Sequence, residues 1–186
     1  MEGVFMKRYA LFVHMLLVTI VVSGCAGSKP PTPNPPKPVP AFTMEVKVDK
    51  PVYHIGEFIL ISVQASRSCY LTLYDISTLG EVTQMFPNSL MRYNDNLIQG
   101  NLLYRIPAET DTFDFKISGP PGVERVRAVC TIQDVNLFQE ETAAETGVVY
   151  PRIQVEPAPF EQSLNDKLTV LPTDKWTEAS VTFQVQ

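Results

Sequence analysis

Apolar and polar residues alternate along several short stretches of the chain after residue 41. In the first stretch Phe42, Met44 and Val46 fall on one side, and polar residues separate them. A period of two is typical of a β-strand with one buried face. Strands of this kind, separated by turns rich in Gly, Pro and Asn, are predicted at residues 42–48, 58–65, 69–76, 82–86, 102–106, 113–117, 126–132 and 177–186.

The last alternating stretch, residues 177–186, must pair with an earlier strand. Residues 133–175, which precede it, are irregular and contain several prolines, but Phe160, Leu164 and Leu168 predict one face of a short helix. Residues 133–175 are therefore an expected insertion and not a linker. The predicted fold class is all-β, an antiparallel β-sandwich of immunoglobulin-like type with a short helical or irregular insertion before the last strand.

A different pattern opens the chain. Lys7 and Arg8 precede an apolar run over residues 10–22, which is too short to span a membrane comfortably. This arrangement predicts a signal peptide that starts at Met1 or at Met6. An uncleaved membrane anchor is the alternative.

The apolar run ends in Val22-Ser23-Gly24-Cys25, which resembles a bacterial lipobox. The resemblance implies cleavage between Gly24 and Cys25 and lipidation of Cys25, and a chance cysteine is the alternative. Each buried acyl methylene would contribute about 0.8 kcal/mol to membrane binding. The expected location is the bacterial cell envelope, with the protein anchored by lipid and facing the periplasm. Ala26 follows the cysteine, and the absence of Asp there resembles a signal for the outer rather than the inner membrane.

Proline dominates residues 29–40, which therefore favour an extended polyproline II spacer. A ligand for a proline-recognition domain is the alternative. At about 3.1 Å per residue the spacer would reach on the order of 45 Å. The predicted organisation is a signal peptide at residues 1–24, a lipidated cysteine with its tether at 25–41, and one β-sandwich domain at 42–186.

Charge and cysteine content narrow the choice of partners. The formal net charge of −5 becomes −6 once residues 1–24 are removed, so no nucleic acid is expected as a partner. Lipidation of Cys25 leaves Cys69 and Cys130 in an oxidising compartment, each on a predicted apolar strand face. They form either a disulfide or two separate buried thiols, and the sequence leaves both open.

Six short motifs follow one another in an order that resembles the bacterial family called domain of unknown function 4384. They are Val52-Tyr53-x-x-Gly56-Glu57, Cys69-Tyr70-Leu71, Gly80-Glu81-Val82, Phe86-Pro87-Asn88, Tyr104-Arg105-Ile106-Pro107 and Pro121-Gly122-x-Glu124. The resemblance covers residues 44–132 and resumes at Trp176. It implies a β-sandwich with an accessory role, and it transfers no catalytic residues.

We expect no enzymatic activity. His54 is the only histidine left after cleavage, and it lies in a predicted turn without a nucleophile motif nearby. The chain has no glycine-rich phosphate loop, and its acidic residues are scattered so that no catalytic pair stands out. Residues 94–100 lack the ligand spacing and the closing glutamate of a calcium loop. Neither a cofactor nor a metal is therefore expected.

The favoured function is a non-catalytic protein-binding or assembly module that docks to another envelope protein. Binding would use an edge strand or the polar loop at residues 88–101, with Asn88, Tyr93, Asn94 and Asp95 as candidate contacts. The alternative is a module that captures a glycan or another small molecule. That alternative would use exposed tyrosines, of which Tyr70, Tyr74 and Tyr93 are candidates, although each of them is more readily explained as a sheet or core aromatic.

Overall fold

The computed structural model of the chain describes residues 42–91, 96–142, 147–154 and 157–186, with the backbone alone at 157–159. The predicted signal peptide and tether lie outside these residues. The strands are β1 (Met44–Val48), β2 (Val52–Tyr53), β3 (Ile61–Ala65), β4 (Cys69–Ile76), β5 (Val82–Phe86), β6 (Leu97–Ile98), β7 (Leu103–Ile106), β8 (Gly122–Thr131) and β9 (Trp176–Val185). The helices are α1 (Gln139–Thr142) and α2 (Pro157–Thr169).

The strands form two sheets. The first has the order β1-β3-β7, and the second has the order β2-β9-β8-β4-β5, with β6 also paired to β4. All of these pairings are antiparallel except β2 with β9. The orders match an immunoglobulin-like sandwich, with β1-β3-β7 in the positions of strands A-B-E and β9-β8-β4-β5 in those of G-F-C-C′. The predicted all-β sandwich is confirmed.

The two sheets face each other across an inter-sheet core. Alternate residues of the strands point into it, as the period of two requires. Val63 of β3 and Leu71 of β4 are fully buried there, as is Ala128 of β8. Burial of such side chains contributes roughly 1.5–3 kcal/mol each.

A second core lies on the opposite face of the larger sheet. Helix α2 covers that face, and Phe160, Leu164 and Leu168 are all fully buried against it. The predicted helix face is therefore confirmed. β9 pairs with β8 over ten residues, so residues 133–175 are an insertion between strands of one sheet. No helix of the described part of the chain is long and apolar enough to cross a bilayer.

One predicted strand is only partly formed. Phe113, Phe115 and Ile117 are buried as the alternation predicts, but residues 113–117 make a single bridge, between Lys116 and Phe58. The ladder between β3 and β7 ends at Ile106, opposite Ile61, and Phe58 of the bridge precedes β3. Three backbone hydrogen bonds nevertheless fasten the segment: the N–H of Ile59 donates to O of Phe115 at 3.0 Å, the N–H of Ile117 donates to O of Glu57 at 2.8 Å, and the N–H of Gly56 donates to O of Ile117 at 2.9 Å.

Candidate functional site

Two carboxylates occupy inward positions of the larger sheet where the alternation calls for apolar side chains. On β4 the inward row runs through Leu71 and Leu73 to Asp75, and on β8 it runs from Glu124 to Val126. Asp75 lies opposite Val126, two residues from Glu124. The register therefore brings both carboxylates to the same end of the sandwich.

The carboxylates line a cavity of about 190 Å³ between the sheets, which we name the carboxylate pocket. Its apolar wall consists of Ile59, Met85, Phe115, Ile117, Val126 and Phe183. Its polar wall adds Ser77, Thr83, Asp114, Lys116, Ser118 and Tyr150 to the two carboxylates. The hydroxyl of Tyr150 donates a hydrogen bond to the backbone O of Asp114 at 3.0 Å, which holds this side of the pocket in place.

Burial dominates the electrostatics of the pocket. It raises the pKa of Asp75 to about 8, and the charge of Glu124 adds to the shift. Burial also raises the pKa of Glu124, although an N–H of Thr78 opposes this by donating to its carboxylate. Within the described residues, no Lys or Arg nitrogen lies within 4.0 Å of either carboxylate. The pair is therefore held without a counter-charge.

We expect the free energy of unfolding to fall as the pH rises from about 4 to about 8. The folded chain keeps a proton on Asp75 across this range, whereas the unfolded chain releases it above its ordinary value of 3.8. The slope is at most about 1.4 kcal/mol per pH unit for each such group. Asp49 and Glu57, whose pKa values are lowered, act in the opposite direction below about pH 4.

Urea unfolding across this pH range measures the slope. Asp75→Asn should flatten it, because the amide does not titrate. Asp134→Asn, which removes an exposed carboxylate outside the pocket, should leave it unchanged. A flat wild-type profile, or one that rises with pH, would contradict the expectation.

The two cysteines of the sandwich are joined. A disulfide links Cys69 of β4 to Cys130 of β8, with their Cα atoms 5.5 Å apart. Leu71, two residues after Cys69, lies opposite Cys130, so the bridge runs diagonally between neighbouring strands on the core side. It crosslinks adjacent strands of one sheet and does not join the two sheets.

The tyrosines proposed as ligand contacts do not form one surface. Tyr74 is fully buried under α2, and its ring lies 5.5 Å from those of Phe138 and Phe160. Tyr74 is therefore a core aromatic and not a ligand contact, because the insertion covers that face of the sheet. Tyr70 is half-buried. Tyr93 lies outside the described residues.

Only part of the predicted binding loop lies within the described residues. Asn88 is buried, and its side chain donates to the backbone O of Met85 and accepts from the N–H of Leu90, which closes a turn. Asn94 and Asp95 lie outside the described residues, as do Gly24 and Cys25 of the predicted lipobox. Further along, the loop contains β6, which pairs with β4.

β7 leaves one edge of the smaller sheet open. It pairs with β3 on one side, and no strand of the described residues pairs with it on the other. Leu102 and Leu103, at its start, are 50% and 61% exposed. An edge of this kind presents free N–H and C=O groups to an incoming strand.

The larger sheet, by contrast, has a covered edge at β5. The N–H of Gln84 donates to the backbone O of Pro151, and the N–H of Ile153 donates to that of Val82, both at 2.9 Å. The insertion thus satisfies backbone groups that β5 would otherwise expose.

Asp75 and Glu124 do not stand out in the sequence as a catalytic pair, yet the sequence contains a signal for their place in the core. The apolar row of β4 continues in phase to Asp75, and the row of β8 extends backward in phase to Glu124. A charged residue in phase with a buried row is the signal. Among the described residues, no group of three or more His, Cys, Asp or Glu side chains could hold a metal ion.

Comparison with known protein families gives one match. The family described as "Domain of unknown function (DUF4384)" matches residues 52–134, a range that contains the disulfide, β7 and both pocket carboxylates. The resemblance predicted from the motifs is thereby confirmed. Searches of curated proteins and of solved structures found no match.

Proposed function

We propose that this chain, whose residues 52–134 match the DUF4384 family, is a lipid-anchored envelope lipoprotein whose sandwich binds another protein. The binding is non-catalytic, and the partner is a protein of the cell envelope. A tether of prolines would hold the sandwich away from the lipid headgroups.

The open edge of β7 is the observation that carries this proposal. Strand addition to a free edge supplies backbone hydrogen bonds, and neighbouring side chains supply specificity. Leu103 lies on the outer face of the sheet and offers apolar contact to an added strand. The occupant we propose is an extended segment of the partner protein, paired along β7.

The anchor is supported by the sequence Val22-Ser23-Gly24-Cys25 after a short apolar run. We expect the wild-type protein to carry lipid by intact mass and to sediment with membranes. Cys25→Ala should be released from the membrane or left unprocessed, because no thiol remains to take the acyl group. Ser28→Ala, outside the lipobox, is the matched control and should behave like the wild type. Equal fractionation of Cys25→Ala and the wild type would refute the anchor.

A charged residue at the edge should weaken the protein contact. We expect Leu103→Lys to reduce the yield of the crosslinked partner about tenfold, because lysine on an edge strand opposes strand addition. Leu79→Lys is the matched control, since Leu79 is 69% exposed in the turn after β4. Quantitative crosslinking of the anchored protein in envelopes measures both yields. Equal loss in both variants, or no reproducible partner for the wild type, would count against the proposal.

The carboxylate pocket favours small-molecule capture as a second candidate function. Its volume of about 190 Å³ is below the range of about 300–1,000 Å³ that is typical of drug-sized ligands. The pocket is therefore too small for an oligosaccharide. The ligand of this second candidate function would be smaller than a glycan.

A further inference from the structure

We infer that the carboxylate pocket binds a primary alkylammonium group, such as a lysine side chain or a small aliphatic amine carries. The inference goes beyond the proposed protein contact at β7 and does not depend on it. The pocket lies inside one end of the sandwich, whereas β7 offers a backbone edge.

A positive charge in the pocket would stabilise the ionised carboxylates. Glu124 is only 4% exposed, and the backbone N–H of Thr78 donates to its carboxylate. The carboxylate of Asp75 has no hydrogen-bond or ion-pair partner among the described residues, and it lines the cavity beside Glu124. Taking carboxylates out of water is costly unless a cation or hydrogen-bond donors compensate. A cation in the cavity would reach both groups.

The walls favour an organic cation over a metal ion. Half of the surroundings are aliphatic or aromatic, whereas Ca²⁺ takes six to eight oxygen ligands. The rings of Phe115 and Tyr150 lie 5.8 Å apart at the pocket, and aromatic faces attract ammonium groups. An alkylammonium presents an apolar stem to such walls and a charged head to the carboxylates.

The cavity also limits the size of the ligand. A volume of about 190 Å³ corresponds to roughly six water molecules at about 30 Å³ each. One unbranched side chain fits such a volume, and a sugar chain does not. Lys116 lines the same cavity, but its ammonium has no carboxylate within 4.0 Å among the described residues.

Binding should release a proton. The empty pocket keeps Asp75 protonated near pH 7, and an incoming cation favours the ionised form. Glu124 faces Asp75 from β8, Asp114 and Lys116 line the opposite wall, and Tyr150, whose pKa is raised, stays neutral. We expect amine affinity to strengthen as the pH rises from about 6 to about 8.5. Calorimetry in buffers of different ionisation enthalpy measures the released proton.

The test titrates the full-length protein with n-pentylamine and with Nα-acetyl-lysine amide, using n-pentanol as the uncharged control. We expect saturable binding of the amine and none of the alcohol. Asp75→Asn and Glu124→Gln should each weaken amine binding about tenfold or more, and Asp134→Asn should not. Lys116→Met should bind the amine more tightly, because a like charge is removed. Binding of both probes assigns the pocket to lysine side chains, and binding of pentylamine alone assigns it to small amines.

A stability measurement separates a binding pair from a structural one. Near pH 8.5, without amine, Asp75→Asn should raise the melting temperature, because it removes a half-buried charge that no cation in the described residues compensates. A pair that served the fold alone would give a lower melting temperature in the variant. The inference is overturned if the wild type shows no saturable amine binding, if both carboxylate variants bind like the wild type, or if Asp75→Asn melts lower. None of these readouts involves β7. Failure of the amine test would therefore leave the proposed protein contact at β7 untouched.

Discussion

Replacing Phe160 by alanine is expected to lower the free energy of unfolding by about 3–5 kcal/mol. The ring is fully buried between α2 and the larger sheet, with its centroid 5.2 Å from that of Phe138 and 5.5 Å from that of Tyr74. Truncation removes this apolar area from the core and leaves a cavity that its aromatic neighbours cannot fill. Urea unfolding followed by fluorescence, with Trp176 in the same cluster as the reporter, measures the loss.

Val170→Ala is the matched control, because Val170 is 81% exposed just after the same helix. It should change stability by less than about 0.5 kcal/mol. A loss below about 1 kcal/mol for Phe160→Ala, or a separate unfolding step for the insertion, would show that residues 133–175 are not part of the cooperative fold.

Replacing both Cys69 and Cys130 by alanine is expected to cost roughly 4 kcal/mol by the loop-entropy argument. The bridge closes a loop with a sequence separation of 61 residues, and opening it frees the unfolded chain. Both residues are almost fully buried, so the small alanine side chain also loses some packing. Urea unfolding of the oxidised protein, the reduced protein and the double variant measures the difference.

The reduced wild type serves as the control for lost packing, because it keeps both sulfur atoms. It should fall between the oxidised protein and the double variant in stability. Equal unfolding midpoints for the oxidised and reduced wild type would contradict the expected effect. Non-reducing peptide mapping that found both thiols free would do so as well.

The strands could be predicted because their side chains have a period of two and their turns carry distinctive residues. The row of Thr177, Ala179 and Val181 predicts β9, and the structure places this strand between β2 and β8. The helix could also be predicted from the spacing of its apolar residues, because Phe160 and Leu164 lie one helical turn apart on its buried face.

The limits of prediction lie where distant segments meet. The burial of Tyr74 depends on α2, which follows it by more than eighty residues in the chain. Residues 113–117 alternate like a strand, but they lie beside the segment that precedes β3 and make only one bridge, to Phe58. Alternation shows which face of a strand is apolar, but it does not show which other segment of the chain covers that face.

The carboxylate pocket could likewise be predicted only in part. The phase of Asp75 and Glu124 with buried rows was readable from the chain alone. Their proximity was not, because it depends on the register that sets Asp75 opposite Val126. A shift of one residue would have turned one of the carboxylates to the other face of the sheet.

Local periodicity and motif order encode the all-β class, the resemblance to the DUF4384 family and the helix of the insertion, so these could be read from the chain alone. The fold was needed to show that the insertion covers the sheet, that Cys69 meets Cys130, that β7 keeps an open edge and that two carboxylates share a cavity. These features depend on contacts between residues far apart in the chain. Such contacts are set by strand order and register, which the spacing of residues along one strand does not specify.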